Sequence, residues 1–428
     1  MSFSSAARFS SGIFSAVMQQ SSSDPLPVSG RFSAFSFRDF RLFWFGQVIS
    51  LSGSWMQTVA QGWLVYSLTK SPLHLGMVAA ANALPILLFS LFGGLIADRY
   101  PKRTLLLFTQ ALSIIPALLL GFLAARGTVT VWHVAALAAF LGTINALDIP
   151  VRQSFLAEMV GKGHIANAIA LNSAAFNGAR IIGPVIAGVA IAYLGIPACF
   201  YLNALSFVAV IIALYRIRTR GAIRGKSEGM LRDFHKGIVF IRSNREIKHV
   251  FLLIAVFSVI GLPYISLLPI FAAEVLHAGP KGLGFLVGAS GIGALTAALL
   301  IAARRDIKDK TRFMSFAALT FAAALFLFSL SGIFWLSLLV IMAAGWGMVS
   351  YLAVANSFIQ ITVADELRGR VMSLYSLVFL GTVPIGNAIM GVAADYLGTP
   401  HAVSVSGLIC LLAACLFAKR YLKQRITI

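Results

Sequence analysis

Charge of either sign is scarce in this chain. Only 11% of its 428 residues are Asp, Glu, Lys or Arg, and just 14 are acidic, where a soluble domain carries about 25% charged residues. That shortfall, with 59% hydrophobic residues and a mean hydropathy of +0.89, excludes an ordinary soluble enzyme, a coiled coil and a disordered polymer. Cysteine is nearly absent. Cys199, Cys410 and Cys415 are an odd count inside apolar runs, which gives no disulfide framework. The seven His show no metal-ligand spacing, so no metal is expected. GxxxxGK[ST], GxSxG and HExxH do not occur. No ATP-driven engine, no hydrolytic centre and no cofactor are therefore expected, and the chain reads as a non-enzyme.

What the chain has in quantity is apolar runs. Twelve are long enough for a bilayer, the first near 43–68 and the last near 400–418; a spanning helix needs about 20 such residues. The net charge of +20 is distributed by side. If both termini share a side, thirty Lys and Arg fall there, ten of them between Arg216 and Lys248, and only Lys70, Arg126 and Lys281 fall opposite. This is the positive-inside pattern, with termini and central connection cytoplasmic. It accounts for the basicity by orientation, so the bilayer, and not nucleic acid, is the expected partner. Residues 1–40 are Ser-rich without a long apolar segment after a basic start. A cleaved secretory signal is not expected; an organellar transit peptide shares this composition, and a disordered cytoplasmic tail is the reading carried forward.

The chain repeats itself. Ala170–Gly195 and Ser373–Gly398 are identical at 13 of 26 positions, including Phe176/Phe379, Gly183/Gly386 and Gly188/Gly391. A fainter echo pairs Leu75-Gly76 with Leu283-Gly284, Asp98 with Asp306 and Lys102 with Lys310. The fifth run thus mirrors the eleventh and the second mirrors the eighth. Two parallel six-helix halves follow, and such repeats place a substrate site near the midplane between them. The divisions expected are a tail over 1–40, a bundle over 41–215, a linker over 216–248, a second bundle over 249–420 and a tail over 421–428. Within the linker the apolar spacing of Phe234, Ile238, Ile241 and Ile247 predicts an amphipathic surface helix.

The connection after the second run reads Gly93-Gly94-Leu95-Ile96-Ala97-Asp98-Arg99-Tyr100-Pro101-Lys102-Arg103. It resembles the GxLaDrxGrkr motif of the major facilitator superfamily, with Pro101 where the motif has Gly. Gly178, Gly183-Pro184 and Ala187-Gly188 resemble the antiporter motif of its exporter branches, Ala187 replacing one Gly. The stretches 37–43, 148–153, 172–180 and 365–371 are similar to the exporter group that includes the enterobactin exporter and related drug-efflux proteins. The resemblance covers about residues 35–420. It implies an all-α integral membrane fold, twelve transmembrane helices in two pseudo-symmetric bundles. It also implies a cytoplasmic gate in which Gly94, Asp98, Arg99, Lys102 and Arg103 latch the second span to the start of the eleventh near Arg370. A monomer is the default assembly.

Ionisable residues at membrane depth are expensive and usually functional. Asn145, Asp148 and Arg152 fall on one helix face, as do Asn177, Arg180 and Pro184. Asp148 is the expected protonation site, with Arg180 as its partner or as an anion contact; a static ion pair that fixes packing is the competing reading. Gln57 and Gln61 belong to a polar stripe with Gln47, Ser50 and Ser54, which is expected to face a watery cavity. Asn356 and Gln360 are expected to face it from the other half. The function that the resemblance implies, with these residues as its candidate site, is secondary active export of a small molecule, siderophore or drug-like, across the cytoplasmic membrane by proton antiport. An uptake symporter or uniporter on the same fold, and a non-transporting membrane sensor or scaffold, are the alternatives.

Overall fold

A computed structural model of the chain describes residues 32–219 and 238–424, apart from 305, 306 and 308. Helix dominates, and no strand occurs among the described residues. The long helices are α1 (Arg38–Thr69), α2 (Pro72–Arg99), α3 (Lys102–Ala125), α4 (Val131–Glu158), α5 (Ile165–Leu194) and α6 (Ile196–Arg216). They continue with α7 (Arg245–Val275), α8 (Gly279–Ala303), α9 (Lys310–Leu330), α10 (Phe334–Thr362), α11 (Leu367–Leu397) and α12 (Thr399–Gln424). Two are irregular. α7 contains π-helical turns at Phe257–Gly261 and Phe271–Val275, the first just ahead of Pro263. α11 breaks at Thr382, two residues before Pro384; proline lacks the N–H that would continue the ladder.

Eleven of these helices are long and apolar enough to cross a membrane. The exception among the twelve expected is α1. Its 32 residues would reach roughly 48 Å, but Gln47, Ser50, Ser52, Ser54, Gln57, Thr58 and Gln61 lower its hydropathy. It packs between α5 and α6. Trp44 Nε1 donates to Leu171 O at 2.9 Å, and Gln57 Oε1 accepts from Asn203 Nδ2 at 2.7 Å.

The ends of the expected segments shift. Ser33–Ser36 forms a 3-10 turn, Ala34 N donates to Asn167 Oδ1, and Phe40 is fully buried. The disordered tail expected over 1–40 is therefore corrected for residues 32–40, which are ordered; residues 1–31 lie outside the described ones. The predicted surface helix is interrupted. Residues 238–243 are helical, but Asn244 ends them and caps α7, its Oδ1 accepting from Ile247 N at 3.0 Å. Ile247 is buried as part of α7. Residues 220–237, Asp306 and residues 425–428 lie outside the described residues, and α12 continues to Gln424 through the start of the expected C-terminal tail.

α1–α6 pack chiefly on one another, as do α7–α12, and the two groups meet where α2 lies on α11 and α5 on α8. The sequence repeat reappears as repeated contacts. A Cβ added at Gly76 would lie 2.4 Å from Asn387 O, and one at Gly284 2.4 Å from Pro184 O; Gly391 and Gly188 stand in equivalent places beside them. Inside each group, a Cβ at Gly142 would lie 2.1 Å from Asn82 O, and one at Gly345 2.1 Å from Ser290 O. All four contacts need backbones closer than any side chain permits, the packing that small residues allow between membrane helices.

We call the end where α1 begins and α12 finishes proximal, and the opposite end distal. The groups are tied at the distal end. Tyr66 OH donates to Glu274 Oε1, Ser71 Oγ to Asp395 Oδ1, and Lys281 Nζ to Tyr193 OH. α2 lies mainly along Val383–Leu397 and little on the part of α11 before Gly381. Towards the proximal end the groups diverge, and Gly94 has nothing within reach of an added Cβ.

At the proximal end, Arg103 donates through Nε to Leu214 O at 2.7 Å and through Nη2 to Tyr215 O at 2.9 Å. These are terminal carbonyls of α6, where a cation offsets the helix dipole. Arg103→Gln is expected to cost about 1–2 kcal/mol of stability, read as a lower thermal midpoint in detergent micelles. An unchanged midpoint would show that α6 needs no cap.

Candidate functional site

α1, α2, α3 and α4 enclose a cavity of about 440 Å³. Phe176 of α5 and Asn203 and Phe207 of α6 add to its wall, and the second group supplies only Ser266, Val383 and Asn387. The polar stripe of α1 reaches it through Ser50, Ser54, Gln57, Thr58 and Gln61, as its spacing predicts. Asn145, Asp148 and Arg152 arrive together from α4.

Asp148 is 3% exposed. Its Oδ1 accepts from Thr109 Oγ1 at 2.7 Å and from Gln110 Nε2 at 2.9 Å. Its Oδ2 stands 3.6 Å from Arg152 Nε, one helical turn on, and Arg152 Nη1 donates to Gln47 Oε1 at 3.1 Å. The expected pairing of Asp148 with Arg180 is therefore corrected. Adjacency of α4 and α5 does not bring those faces together, and the countercharge is the i+4 residue of the same helix. The network ties α1, α3 and α4 into one polar unit. Gln47 Nε2 and Gln110 Oε1 are buried without partners, which leaves a spare donor and a spare acceptor beside the ion pair.

Arg180 points elsewhere. Its Nη2 donates to Ser290 Oγ of α8 at 3.1 Å, and its guanidinium carbon lies 5.6 Å from the Trp55 ring centroid. Trp55 and Phe176 pack edge to face at 5.7 Å and both line the cavity.

Three cavity candidates are not among its lining residues. Asn177 donates to Ser173 O within its own helix. Gln360 Nε2 donates to Asn356 Oδ1 at 2.5 Å, while Gln360 O accepts from Arg368. That pair bridges α10 towards α11, with Gln360 exposed. The residues that sequence reasoning passed over are Asn82, Thr109, Gln110, Ser113 and Asn203. Thr109, Gln110 and Ser113 do share one face of α3 at helical spacing, a signal that could have found them; Asn82 and Asn203 carry no comparable stripe.

The two groups differ sharply at their centres. The repeat that pairs Gly142 with Gly345 pairs Asp148 with Tyr351. Tyr351 is 1% exposed and packs on Phe257 at 4.9 Å between ring centroids, with Phe321 beside Phe257 at 5.1 Å. Aromatic rings fill the second group where the first holds a carboxylate and a cavity.

The motif residues divide as well. Lys102, 1% exposed, pairs with Glu158 Oε1 at 2.7 Å and joins α3 to α4. Arg99 is exposed. Asp98 makes no hydrogen bond or ion pair among the described residues. The expected latch from Asp98 to the start of α11 is thus open here, because α2 and α11 have parted at that end. Gly183 lies against Ser52 O of α1, and Pro184 O and Gly188 form the α5–α8 seam, while Gly178 has open space.

A family model described as a transmembrane secretion effector matches residues 29–426. The chain is 24% identical to the staphyloferrin A transporter of Staphylococcus aureus over 87% of its own length and 94% of that protein's. It is 26% identical to the multidrug efflux pump Tap of Mycolicibacterium fortuitum, over 83% and 88%. Among solved structures, a bacterial homolog of the human lysosomal transporter Spinster, described as inward-facing and unoccupied, superposes with a TM-score of 0.72. That match has 12% identity and covers 90% of this chain and 97% of that one.

Proposed function

The chain belongs to the transmembrane secretion effector family of major facilitator transporters, and from that premise we propose that it exports a small molecule, siderophore or drug-like, from the cytoplasm by proton antiport. It is a multi-pass membrane transporter and not an enzyme. The proximal end is assigned to the cytoplasm by the Lys and Arg excess on that side. The membrane is the cytoplasmic one. The bundles over 41–215 and 249–420 rock about the cavity in alternating access, and the described arrangement, closed distally and splayed proximally, is the one that loads from the cytoplasm.

The observation that carries this reading is the Asp148–Arg152 pair in the cavity wall. A 3.6 Å separation is loose for an ion pair, and turning Arg152 fully onto Gln47 releases the carboxylate. Asp148 then takes a proton from the outside and surrenders it to the cytoplasm as the cavity changes face. Substrate occupying the cavity meets the same Gln57, Gln61 and Asn145 that flank the pair. Reclosure of the Asp98 latch accompanies the outward-facing state.

The test is directional. Full-length protein is reconstituted in proteoliposomes with known orientation and an imposed pH gradient, and flux of neutral and charged drugs is followed with a proton-sensitive dye. Substrate movement from the cytoplasmic face against proton movement is expected. Co-directional movement would make the protein a symporter, and substrate movement without protons a uniporter.

A further inference from the structure

Arg180 is a buried cation with no countercharge among the described residues. It lies fifteen residues into α5, roughly 22 Å from either end of that helix, and is 8% exposed. The other buried charges at hand are matched, Asp148 by Arg152 and Lys102 by Glu158. Arg180 has two neutral hydroxyls beside it, Ser290 Oγ, which accepts from Nη2, and the buried Tyr264 phenol, which is hydrogen-bonded to Ser290, together with the face of Trp55; its Nε is buried with no hydrogen-bond partner. Taking an ion out of water without a countercharge costs several kcal/mol, and a fold does not keep one without return.

The seam itself does not need the charge. The repeat that matches Gly188 with Gly391 matches Arg180 with Val383. The α2–α11 seam closes through the same glycine contacts as α5–α8 with valine in that place. What differs is the wall beside it. Trp55 and Phe176 stand between Arg180 and the cavity.

We propose that Arg180 is the anion-binding group of the transport site and that the substrate is an amphiphilic carboxylate with an aromatic or apolar body. This deepens the exporter reading and rests on it for the word substrate. A guanidinium grips a carboxylate side-on through Nε and the neighbouring Nη. Nε is free, and Nη2 is the atom held by Ser290. The carboxylate takes both donors and displaces Ser290, while the apolar body replaces the Trp55–Phe176 contact. Displacement removes a tie between α5 and α8, so loading of the cavity loosens the distal seam. A neutral or cationic compound of the same shape does neither.

The experiment measures binding of 2-naphthoate, and of its neutral methyl ester, to the full chain in lipid nanodiscs by titration calorimetry. Wild type is expected to bind the acid more tightly than the ester. Arg180→Gln is expected to weaken the acid by about tenfold or more, the worth of a hydrogen bond to a charged group, and to leave the ester unchanged. Arg180→Lys retains part of the affinity. Ser290→Ala releases Nη2 and is expected to tighten the acid, which decides the matter even if Arg180→Gln fails to fold. Equal affinities for acid and ester, no binding of the acid by wild type, or an acid affinity indifferent to both Arg180→Gln and Ser290→Ala would each overturn the assignment. Proton-driven flux of a neutral drug without Arg180-dependent naphthoate binding would remove the anion site and leave the exporter. Arg180-dependent binding with no driven flux of any compound would do the reverse.

Discussion

Asp148→Asn is expected to abolish proton-driven transport while the protein still folds. Asparagine keeps the shape of the side chain. Its Oδ1 accepts from Thr109 Oγ1 and Gln110 Nε2 as the carboxylate does, so the α3–α4 contact survives. What it cannot do is take up and release a proton, or hold Arg152 by charge. The substrate-dependent proton signal in proteoliposomes should fall by about 100-fold or more, the scale of losing a proton-transfer group. Asp148→Glu should retain a fraction, because a carboxylate one methylene longer still titrates but crowds Arg152. The paired control is counterflow, exchange of substrate across the membrane with no gradient. Asp148→Asn should leave exchange measurable while gradient-driven accumulation is lost. Undiminished accumulation in a monodisperse Asp148→Asn preparation would reduce the ion pair to a packing element. Loss of exchange along with accumulation would place Asp148 in substrate binding.

Gly284→Val should shift the transporter towards its distally open form. A Cβ there lies 2.4 Å from Pro184 O and 3.1 Å from Gly188 Cα. Both obstacles are backbone, so no side chain can swing aside and α5 must move off α8. Overpacking of this kind costs about 1–3 kcal/mol. Placed on one state of a two-state equilibrium it moves the populations about 5–150-fold. Gly76→Val should act in the same direction, since a Cβ there meets Asn387 O at 2.4 Å and Gly391 Cα at 2.8 Å. Spin labels at the exposed distal positions Leu194 and Tyr396 should report a longer separation in either variant, together with slower transport. An unchanged distance distribution with normal flux would show that the seams absorb a side chain and do not gate. Gly142→Val and Gly345→Val are the contrasting pair. They strike contacts inside one group of helices and should lower stability without changing the distal distance.

The candidate site was partly visible in one dimension. Gln57 and Gln61 repeat at helical spacing in α1 and do line the cavity, because a stripe on one helix is a property of that helix alone. Asp148 and Arg152 were visible for the same reason: four residues apart, they lie one turn apart whatever the fold. Thr109, Gln110 and Asn203 were not. Each needs a second helix to give it a partner, Asp148 of α4 for the first two and Gln57 of α1 for Asn203, where Gly53 lets α1 come close to Asn203 and Ser206. Asn356 and Gln360 resembled cavity residues by type and depth, yet they bond to each other and to Arg368. Which cavity a polar residue joins is decided by where its helix stands, and that lies in tertiary geometry.

Composition alone determined that this chain lives in a bilayer, since its apolar runs have no other solvent in which to be stable. The Lys and Arg excess gave its expected orientation, and the internal repeat gave two copies of one packing scheme, seen again in the paired contacts of Gly76 and Gly284. Only the tertiary structure decided which copy holds the polar cavity. The repeat is blind to the exchange of Asp148 for Tyr351 and of Arg180 for Val383. Those exchanges acquire meaning through neighbours distant in sequence: Thr109 and Gln110 across α3, Ser290 across the seam, and Phe257 and Phe321 closing the other centre. It also decided the state. Asp98 stands without a hydrogen bond or ion pair among the described residues because α2 lies on α11 mainly along Val383–Leu397, and how two helices distant in sequence meet is something a linear reading of residues does not contain.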